Sequence, residues 1–204
     1  MQSKVIVKKS QLENYVNMYK NVVYERPSKL SYFRKVVGSL LRWRVWGYFV
    51  SCLAYWLVNF VLPRAQIEKG KNTNVHPTTL LRHAERIVIG DNTLINHGNV
   101  IQAGKVNARI LIGNFVHTGP NVMMFAYNHR FETGTPSKVQ NYDEADIVIG
   151  DDVWIGAGSI ILAGTEIENG VVIAAGSVVK GKLSSNSVYA GVPVKLIGQR
   201  EKYE

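Results

Sequence analysis

The 204-residue chain contains one cysteine, Cys52, and six prolines. A single cysteine cannot form a disulfide within the chain, and it excludes metal sites that are built from several cysteines. Acidic residues are scarce near the start, because residues 1–46 contain ten lysines and arginines but only two glutamates. The net charge of +9 therefore belongs almost entirely to this segment. Anionic membrane surfaces and nucleic acids are the partners that such a segment could attract.

Residues 45–62 have no charged side chain. As a helix this run would be about 27 Å long, just short of the hydrocarbon core of a bilayer. Basic residues precede it and aromatic residues are frequent in it, as in segments at a membrane interface. Two interpretations stay open: membrane-surface contact through residues 30–64, or a helix packed against the main domain or a sister subunit. Nucleic-acid phosphates require no such apolar run, so we predict no nucleic-acid partner.

Residues 149–184 lack both helical and alternating periodicity and instead repeat every six residues. The first position of each hexad is aliphatic: Ile149, Ile155, Ile161, Ile167, Ile173 and Val179. The fifth position is small or aliphatic: Val153, Ser159, Thr165, Val171, Ser177 and Leu183. A six-residue period is typical of a parallel β-helix, whose flat sides take one hexad each. We expect the first positions to stack inside the prism and Gly and Asn to occupy its corners.

The same period is present earlier in the chain, with two slips of register. It is followed by Ile89, Ile95, Ile101 and Ile112, and a weaker trace begins near Ile67. The slip between Ile101 and Ile112 is short and is consistent with a bulge. The slip between Met124 and Ile149 contains about twenty residues without the repeat, and a loop of that length in a compact repeat is usually functional or disordered.

These motifs resemble the hexapeptide-repeat acyltransferases, in particular the maltose, galactoside and bacterial surface-polysaccharide O-acetyltransferases. The matching stretches are NHRFE in the long loop, IGDDVWIGAGSIILAGTEIENGVVIAAGSVVK after it, and YAGVPVKLIG near the end. The resemblance implies an all-β fold, a left-handed parallel β-helix of hexapeptide repeats with an extruded loop and an N-terminal helical segment. We predict a basic and apolar helical segment at 1–64, the β-helix acyltransferase domain at 65–198 with its loop at 126–146, and a tail at 199–204.

The resemblance further implies an acetyl-CoA-dependent O-acetyltransferase that modifies a sugar hydroxyl of a bacterial surface polysaccharide or its precursor. Such transfer needs a base for the alcohol proton, and the ordinary pKa of histidine suits that role. His129 is the predicted base, because its loop position matches the catalytic histidine of the family; His97 and His117 are competitors. We predict direct attack without an acyl-enzyme, since Cys52 has no obvious base near it in the sequence.

Other site residues follow from the same resemblance. Asn96 matches an asparagine that lies near the catalytic histidine across a subunit boundary, where an amide could hold the acceptor or steady the oxyanion. Arg130 and Glu132 are candidates to orient the base or the sugar. The expected coenzyme contacts are Trp154 at the thioester end, Ala157 and Ala175 along the pantetheine arm, and Lys180 and Lys195 at the phosphates, with Lys182 and Arg200 as further candidates. The family forms trimers with clefts between prisms, which implies a homotrimer with composite sites.

Three other functions could share this fold. An N-acetyltransferase of an amino sugar nucleotide would share the fold and the donor, and a catalytically silent β-helix scaffold would share the fold alone. A γ-class carbonic anhydrase needs two histidines with four residues between them, and no pair has that spacing among His76, His83, His97, His117 and His129, so we predict no metal. Because acetyl-CoA is a cytoplasmic metabolite, we expect a cytoplasmic protein, with peripheral attachment to the inner face of the cytoplasmic membrane as an option.

Overall fold

The computed structural model describes residues 26–201. The chain forms two compact units, Met1–Ser51 and Cys52–Glu204. In the first unit, helix α1 (Lys29–Leu40) begins after Ser28, whose Oγ accepts a hydrogen bond of 3.2 Å from the backbone N–H of Ser31. A serine in this position satisfies one of the free N–H groups at a helix start, which explains why the helix begins here.

The apolar run is helical. Helix α2 (Trp43–Trp56) continues through a π-helical turn (Leu57–Val61) into helix α3 (Leu62–Gln66). Within residues 26–201, this stretch of 24 residues is the one helix long and apolar enough to cross a membrane by length and composition, and its most apolar 18 residues have a mean hydropathy of 1.6. Its polar side chains turn onto its own backbone: the Ser51 hydroxyl donates to the carbonyl of Gly47 and the Asn59 amide to that of Tyr55.

Arg64 ties the end of this helix to the strands that follow. Its guanidinium donates to the carbonyl of Phe60 in the last helical turns. It also donates to the carbonyls of His76 and Pro77, each at 2.8 Å. A cation near a helix C-terminus satisfies carbonyls that have no partner in the helix, so one side chain stabilises both the helix end and the first coil.

Three parallel sheets form the sides of a prism, with strands numbered along the chain. The first side contains β1 (Glu68–Lys69), β4 (Ile87–Ile89), β7 (Ile110–Ile112), β12 (Ile147–Ile149), β15 (Glu166–Ile167) and β18 (Lys182–Leu183). The second contains β2 (Asn74–Val75), β5 (Leu94–Ile95), β8 (His117–Thr118), β13 (Trp154–Ile155), β16 (Val172–Ile173), β19 (Ser187–Ala190) and the antiparallel β20 (Lys195–Gln199). The third contains β3 (Leu80–Arg82), β6 (Val100–Gln102), β9 (Met123–Phe125), β14 (Ile160–Leu162) and β17 (Val178–Val179).

This arrangement confirms the predicted fold class, the left-handed parallel β-helix. Every predicted first-position residue from Ile149 to Val179 is buried, as are the fifth-position residues from Val153 to Leu183. Full burial of one isoleucine side chain contributes roughly 2–3 kcal/mol, and stacked copies repeat that contribution in each coil. The small polar fifth positions also have partners: the hydroxyls of Ser159 and Ser177 both donate to the carbonyl of Ala174.

The corners take the residues that the sequence predicted for them. Positive φ angles occur at Asn72, Asn92, Phe115, Asp152, Gly170 and Asn186 between the first and second sides. They occur at Gly98, Asn121, Gly158 and Gly176 between the second and third sides. Asn, Asp and Gly tolerate this left-handed backbone better than other residues, and Phe115 is the one corner residue in these two sets without that advantage.

Both predicted slips are insertions at one corner, where the third side joins the first side of the next coil. Ile149 pairs with Ile167, eighteen residues further on, whereas Ile89 pairs with Ile112 and Ile112 with Ile149 over longer distances in sequence. The extra residues lie at 103–109 and 126–146. The two insertions therefore extend from neighbouring coils, at the same edge of the prism. We call this edge the loop corner, and the edge between the second and third sides the alanine corner.

Candidate active site

The long insertion begins and ends as a β-hairpin. Strand β10 (Tyr127–His129) pairs antiparallel with β11 (Tyr142–Glu144), and His129 lies directly opposite Tyr142. Directly opposed residues share one face of an antiparallel pair. Tyr127, His129, Tyr142 and Glu144 therefore share a face, while Arg130 and its partner belong to the other. His129 is thus held by a backbone ladder at the base of the insertion.

His129 is exposed, and one aromatic ring fixes its position. The centroid of its imidazole lies 4.3 Å from that of Tyr142, with the two planes tilted by 50°. Within residues 26–201 neither ring nitrogen has a hydrogen-bond partner. An imidazole with both nitrogens free can accept a proton from a bound hydroxyl group, which is the property required of a general base.

The two charged neighbours of His129 in sequence do not contact it. Arg130 Nε donates to Asp143 Oδ1 at 2.7 Å, an ion pair across the hairpin. Gln140 binds the backbone of Glu132 through its side-chain amide. The Glu132 N–H donates to Gln140 Oε1, and Gln140 Nε2 donates to the Glu132 carbonyl. Both residues therefore stabilise the hairpin, and the ring that touches His129 is that of Tyr142, which sequence reasoning did not find.

Glu144 joins the two insertions. The backbone N–H groups of Lys105 and Val106 donate to its Oε1 at 2.6 and 3.0 Å, and those of Asn107 and Ala108 donate to its Oε2 at 3.0 and 3.3 Å. Burial raises the pKa of this carboxyl group, but the four hydrogen bonds outweigh burial and place its pKa below the ordinary value. The short insertion therefore forms a backbone cradle around one carboxylate.

Lys105, at the start of that cradle, supports the aromatic pair under His129. Its Nζ lies 3.3 Å from the centroid of the Tyr142 ring and 5.2 Å from that of Tyr127. The Tyr127 hydroxyl donates to Gln102 Oε1 at 2.6 Å, which anchors the hairpin to β6. A cation over an aromatic face is attracted by the ring, so Lys105 helps to hold Tyr142 against the histidine.

We expect Glu144→Gln to destabilise the protein by about 1 kcal/mol at neutral pH, because an amide cannot accept all four hydrogen bonds and solvent screening limits the charge effect. The pKa of Glu144 is lower in the folded state than in the unfolded state, where it is about 4.3. The ionised carboxylate therefore stabilises the folded protein above about pH 4.3, and this stabilisation is lost as the pH falls through the folded-state pKa. Urea unfolding from pH 7 to pH 3 measures it. A difference between the two proteins that stays constant down to pH 3 would contradict this account.

The hairpin forms one wall of a groove at the loop corner. The groove has a volume of about 560 Å³. Its lining residues come from the hairpin and from the next two coils: Asn128, His129, Phe131, Asp143, Glu144, Ala145, Leu162, Ala163 and Lys180. Two predicted site residues, His129 and Lys180, thus share one groove although they are far apart in the sequence. Leu162 and Ala163 supply an apolar floor that the sequence did not predict.

The second group of predicted residues lies elsewhere on the prism. Asn96, Ala157 and Ala175 follow strands of the second side and so lie at the alanine corner. Asn96 Oδ1 accepts from the backbone N–H of His97 at 2.8 Å, which leaves the amide NH₂ without a partner among the described residues. The coils approach closely here, since a Cβ added to Gly156 would lie 2.4 Å from the backbone nitrogen of Ala175. Gly156 therefore has no room for a side chain, and Ala157 and Ala175 place only methyl groups along this edge.

Trp154 and Lys195 belong to the second side itself. Trp154 is 55% exposed and pairs in register with His117 below it and Val172 above it. Lys195 is exposed on β20, opposite Ala190. The two further phosphate candidates are engaged by carboxylates, because Lys182 forms ion pairs with Glu166 and Glu168, and Arg200 with Asp152.

One chain does not bring the two groups together. From Gly158 at the alanine corner to Ala163 at the loop corner, five residues of extended chain span roughly 16 Å. The whole third side of the prism lies between His129 and the set formed by Asn96, Ala157 and Ala175. His129 and the predicted residues of the alanine corner could therefore meet only where the loop corner of one chain faces the alanine corner of another.

Comparison with known proteins identifies the family. The family model described as bacterial transferase hexapeptide (six repeats) matches residues 146–181. The crystal structure of a maltose O-acetyltransferase from Clostridium difficile 630 is 30% identical, with 69% of this chain and 73% of that chain covered and a TM-score of 0.60. This chain belongs to the hexapeptide-repeat transferase family.

Two other members of the hexapeptide-repeat family bear on the site. The acetyltransferase VCA0836 of Vibrio cholerae, solved in complex with acetyl coenzyme A, is 28% identical over 70% of this chain and 76% of that chain, with a TM-score of 0.63. WbbJ of Escherichia coli K12, named for O-acetyl transfer in lipopolysaccharide biosynthesis, is 34% identical over 66% of this chain and 61% of its own length. The chain spans about three fifths of the length of the first curated relatives that it matches.

Proposed function

We propose that the protein is an acetyl-CoA-dependent O-acetyltransferase whose acceptor is a sugar hydroxyl of a bacterial surface polysaccharide or its precursor. One observation carries the proposal: an exposed imidazole with two free ring nitrogens stands over a groove that also contains Lys180. Support comes from relatives named as maltose O-acetyltransferase and as a lipopolysaccharide O-acetyl transferase, and from a neighbour that binds acetyl coenzyme A.

The proposed reaction is a direct displacement. His129 takes the proton of the acceptor hydroxyl as its oxygen attacks the thioester carbonyl, which gives a tetrahedral intermediate with a negatively charged oxygen. The intermediate collapses with cleavage of the carbon–sulfur bond, and the imidazolium returns the proton to the departing thiolate of coenzyme A. The free NH₂ of Asn96, supplied by a neighbouring chain, is placed by this proposal near the oxyanion or the acceptor.

The residues at the alanine corner fit the donor. A pantetheine arm needs an apolar track without bulky side chains, and Ala157 and Ala175 provide small apolar side chains on the edge next to the side that carries the exposed ring of Trp154. The phosphates need cations without fixed partners. Lys180 and Lys195 form no ion pair within residues 26–201, in contrast to Lys182 and Arg200. We therefore retain Lys180 and Lys195 as the proposed phosphate contacts, on clefts between subunits of a homotrimer.

The test is release of free coenzyme A thiol from acetyl-CoA, measured with sugars, an amino sugar nucleotide and no acceptor. O-acetyltransfer predicts turnover that requires a sugar hydroxyl and a product that loses its acetyl group in mild base. An N-acetyltransferase would act on the amine and give a base-stable product, and a silent scaffold would release no thiol with any acceptor. Mass spectrometry of surface polysaccharide with and without the protein then identifies the acceptor, through the loss of one acetyl group per repeat unit.

A further inference from the structure

Helix α1 presents a cationic groove, and no acidic residue occurs within the helix or in the apolar run that follows it. The groove has a volume of about 570 Å³ and is lined by Ser31, Arg34, Lys35, Gly38, Ser39 and Arg42. Residues 26–66 contain no aspartate or glutamate. None of the three cations forms an ion pair within the part of the chain that the structure describes. Three like charges around one groove repel each other, and an anion that enters the groove relieves that repulsion.

Directly after this groove in sequence, the apolar helix is exposed on every side from Trp43 to Tyr55. At 100° per residue, Trp43, Phe49 and Tyr55 point in directions about 120° apart around the helix axis. They are 80%, 53% and 54% exposed, so the described residues cover no face of the helix from Trp43 to Tyr55; the buried residue Asn59 lies beyond this part, in the π-helical turn. Ser51 and Asn59 have turned their polar groups onto the helix backbone and do not form a polar face.

This distribution indicates the kind of partner. A packed protein surface, including a second copy of the chain, covers one stripe of a helix and leaves the opposite side in water. A helix that is apolar all round is compatible with lipid, which surrounds it completely. The tryptophans at its start and the adjacent cations are the residue types found at the boundary between lipid chains and headgroups.

We propose that residues 29–61 form a lipid-docking segment. The groove of Arg34, Lys35 and Arg42 binds phosphates of anionic lipid headgroups, and α2 lies among the acyl chains. The segment holds the enzyme at the surface where lipid-linked glycans are assembled, which would bring the acceptor to the site. The docking itself does not depend on the proposed function, because no residue of the loop corner or the alanine corner takes part.

Vesicle flotation with the full chain tests the proposal. We expect binding to vesicles that contain phosphatidylglycerol, and weaker binding to vesicles of phosphatidylcholine alone. Replacing Arg34, Lys35 and Arg42 together by Gln should weaken binding to the anionic vesicles by roughly a hundredfold, since each cation near the surface contributes about fivefold. The matched control, Lys71, Arg82 and Arg109 changed to Gln, removes the same charge from the β-helix and should change binding less than about twofold.

Insertion of the helix has a separate readout. Three of the four tryptophans, Trp43, Trp46 and Trp56, lie in the lipid-docking segment, and the fourth is Trp154. Bromine-labelled acyl chains should quench most of the tryptophan fluorescence, both in the natural sequence and in Trp154→Phe. No binding to anionic vesicles, equal loss in both triple variants, or quenching confined to Trp154 would each overturn the proposal. Thiol release with a soluble sugar does not require membrane binding, so the lipid-docking proposal and the proposed function can fail independently.

Discussion

His129→Ala should lower kcat for thiol release by about 10²- to 10⁴-fold, the usual contribution of a general base. The reason is that Glu144, the carboxylate on the same face of the hairpin, is occupied by four backbone N–H groups and cannot replace the imidazole as the base. The KM for acetyl-CoA should change little, since the base is not a proposed coenzyme contact. Steady-state kinetics with acetyl-CoA and a sugar acceptor measure both quantities.

The matched controls are the competing histidines. His97→Ala and His117→Ala remove exposed imidazoles from the alanine corner and the second side, and should leave most of kcat intact. His129 is exposed and forms no side-chain hydrogen bond within residues 26–201, so its removal should not change the midpoint of urea unfolding. Full turnover in a folded His129→Ala protein, or a collapse of kcat in His97→Ala or His117→Ala alone, would reject His129 as the base.

The fold could be predicted from the sequence because one physical rule repeats. A side of the prism has room for one aliphatic side chain at a fixed position, so Ile149, Ile155 and Ile161 report the period directly. The corner rule is almost as regular, although Phe115 adopts a positive φ without the usual residue type. Slips of register could be detected, since the period stops and resumes. The predicted domain limits, the location in the cell and the individual site roles stay predictions.

The arrangement within the insertions could not be predicted, since it depends on contacts between segments that have no period. Nothing in the sequence marks Glu144 as the acceptor for residues 105–108, or Tyr142 as the ring beside His129. The signal that existed was indirect: both slips fall after the third side of a coil, which places 103–109 and 126–146 at one edge. Similarity to a family indicates which residues match its functional positions, but it does not indicate on which edge of the prism each residue lies.

The separation of the two corners leads to a prediction about mixed oligomers. His129→Ala removes the base at the loop corner, and Ala175→Trp should block the coenzyme track at the alanine corner; each protein alone should be nearly inactive. If the site lies between chains, a trimer assembled from both variants contains some interfaces at which both contributing corners are intact. If equal amounts of the two variants assemble at random, both corners are intact at about one quarter of all interfaces, because each corner is intact with a probability of one half.

Co-refolding or co-expression of the two variants should therefore restore about a quarter of the natural kcat, against almost none for either variant by itself. The control mixes His129→Ala with the double variant His129→Ala/Ala175→Trp, in which no interface can have an intact base. A site contained in one chain would give no recovery in either mixture, because every chain carries a defect. Within one chain, the third side separates the imidazole from the coenzyme track by roughly 16 Å. Recovery therefore requires that one chain supplies the imidazole and a neighbouring chain supplies the coenzyme track.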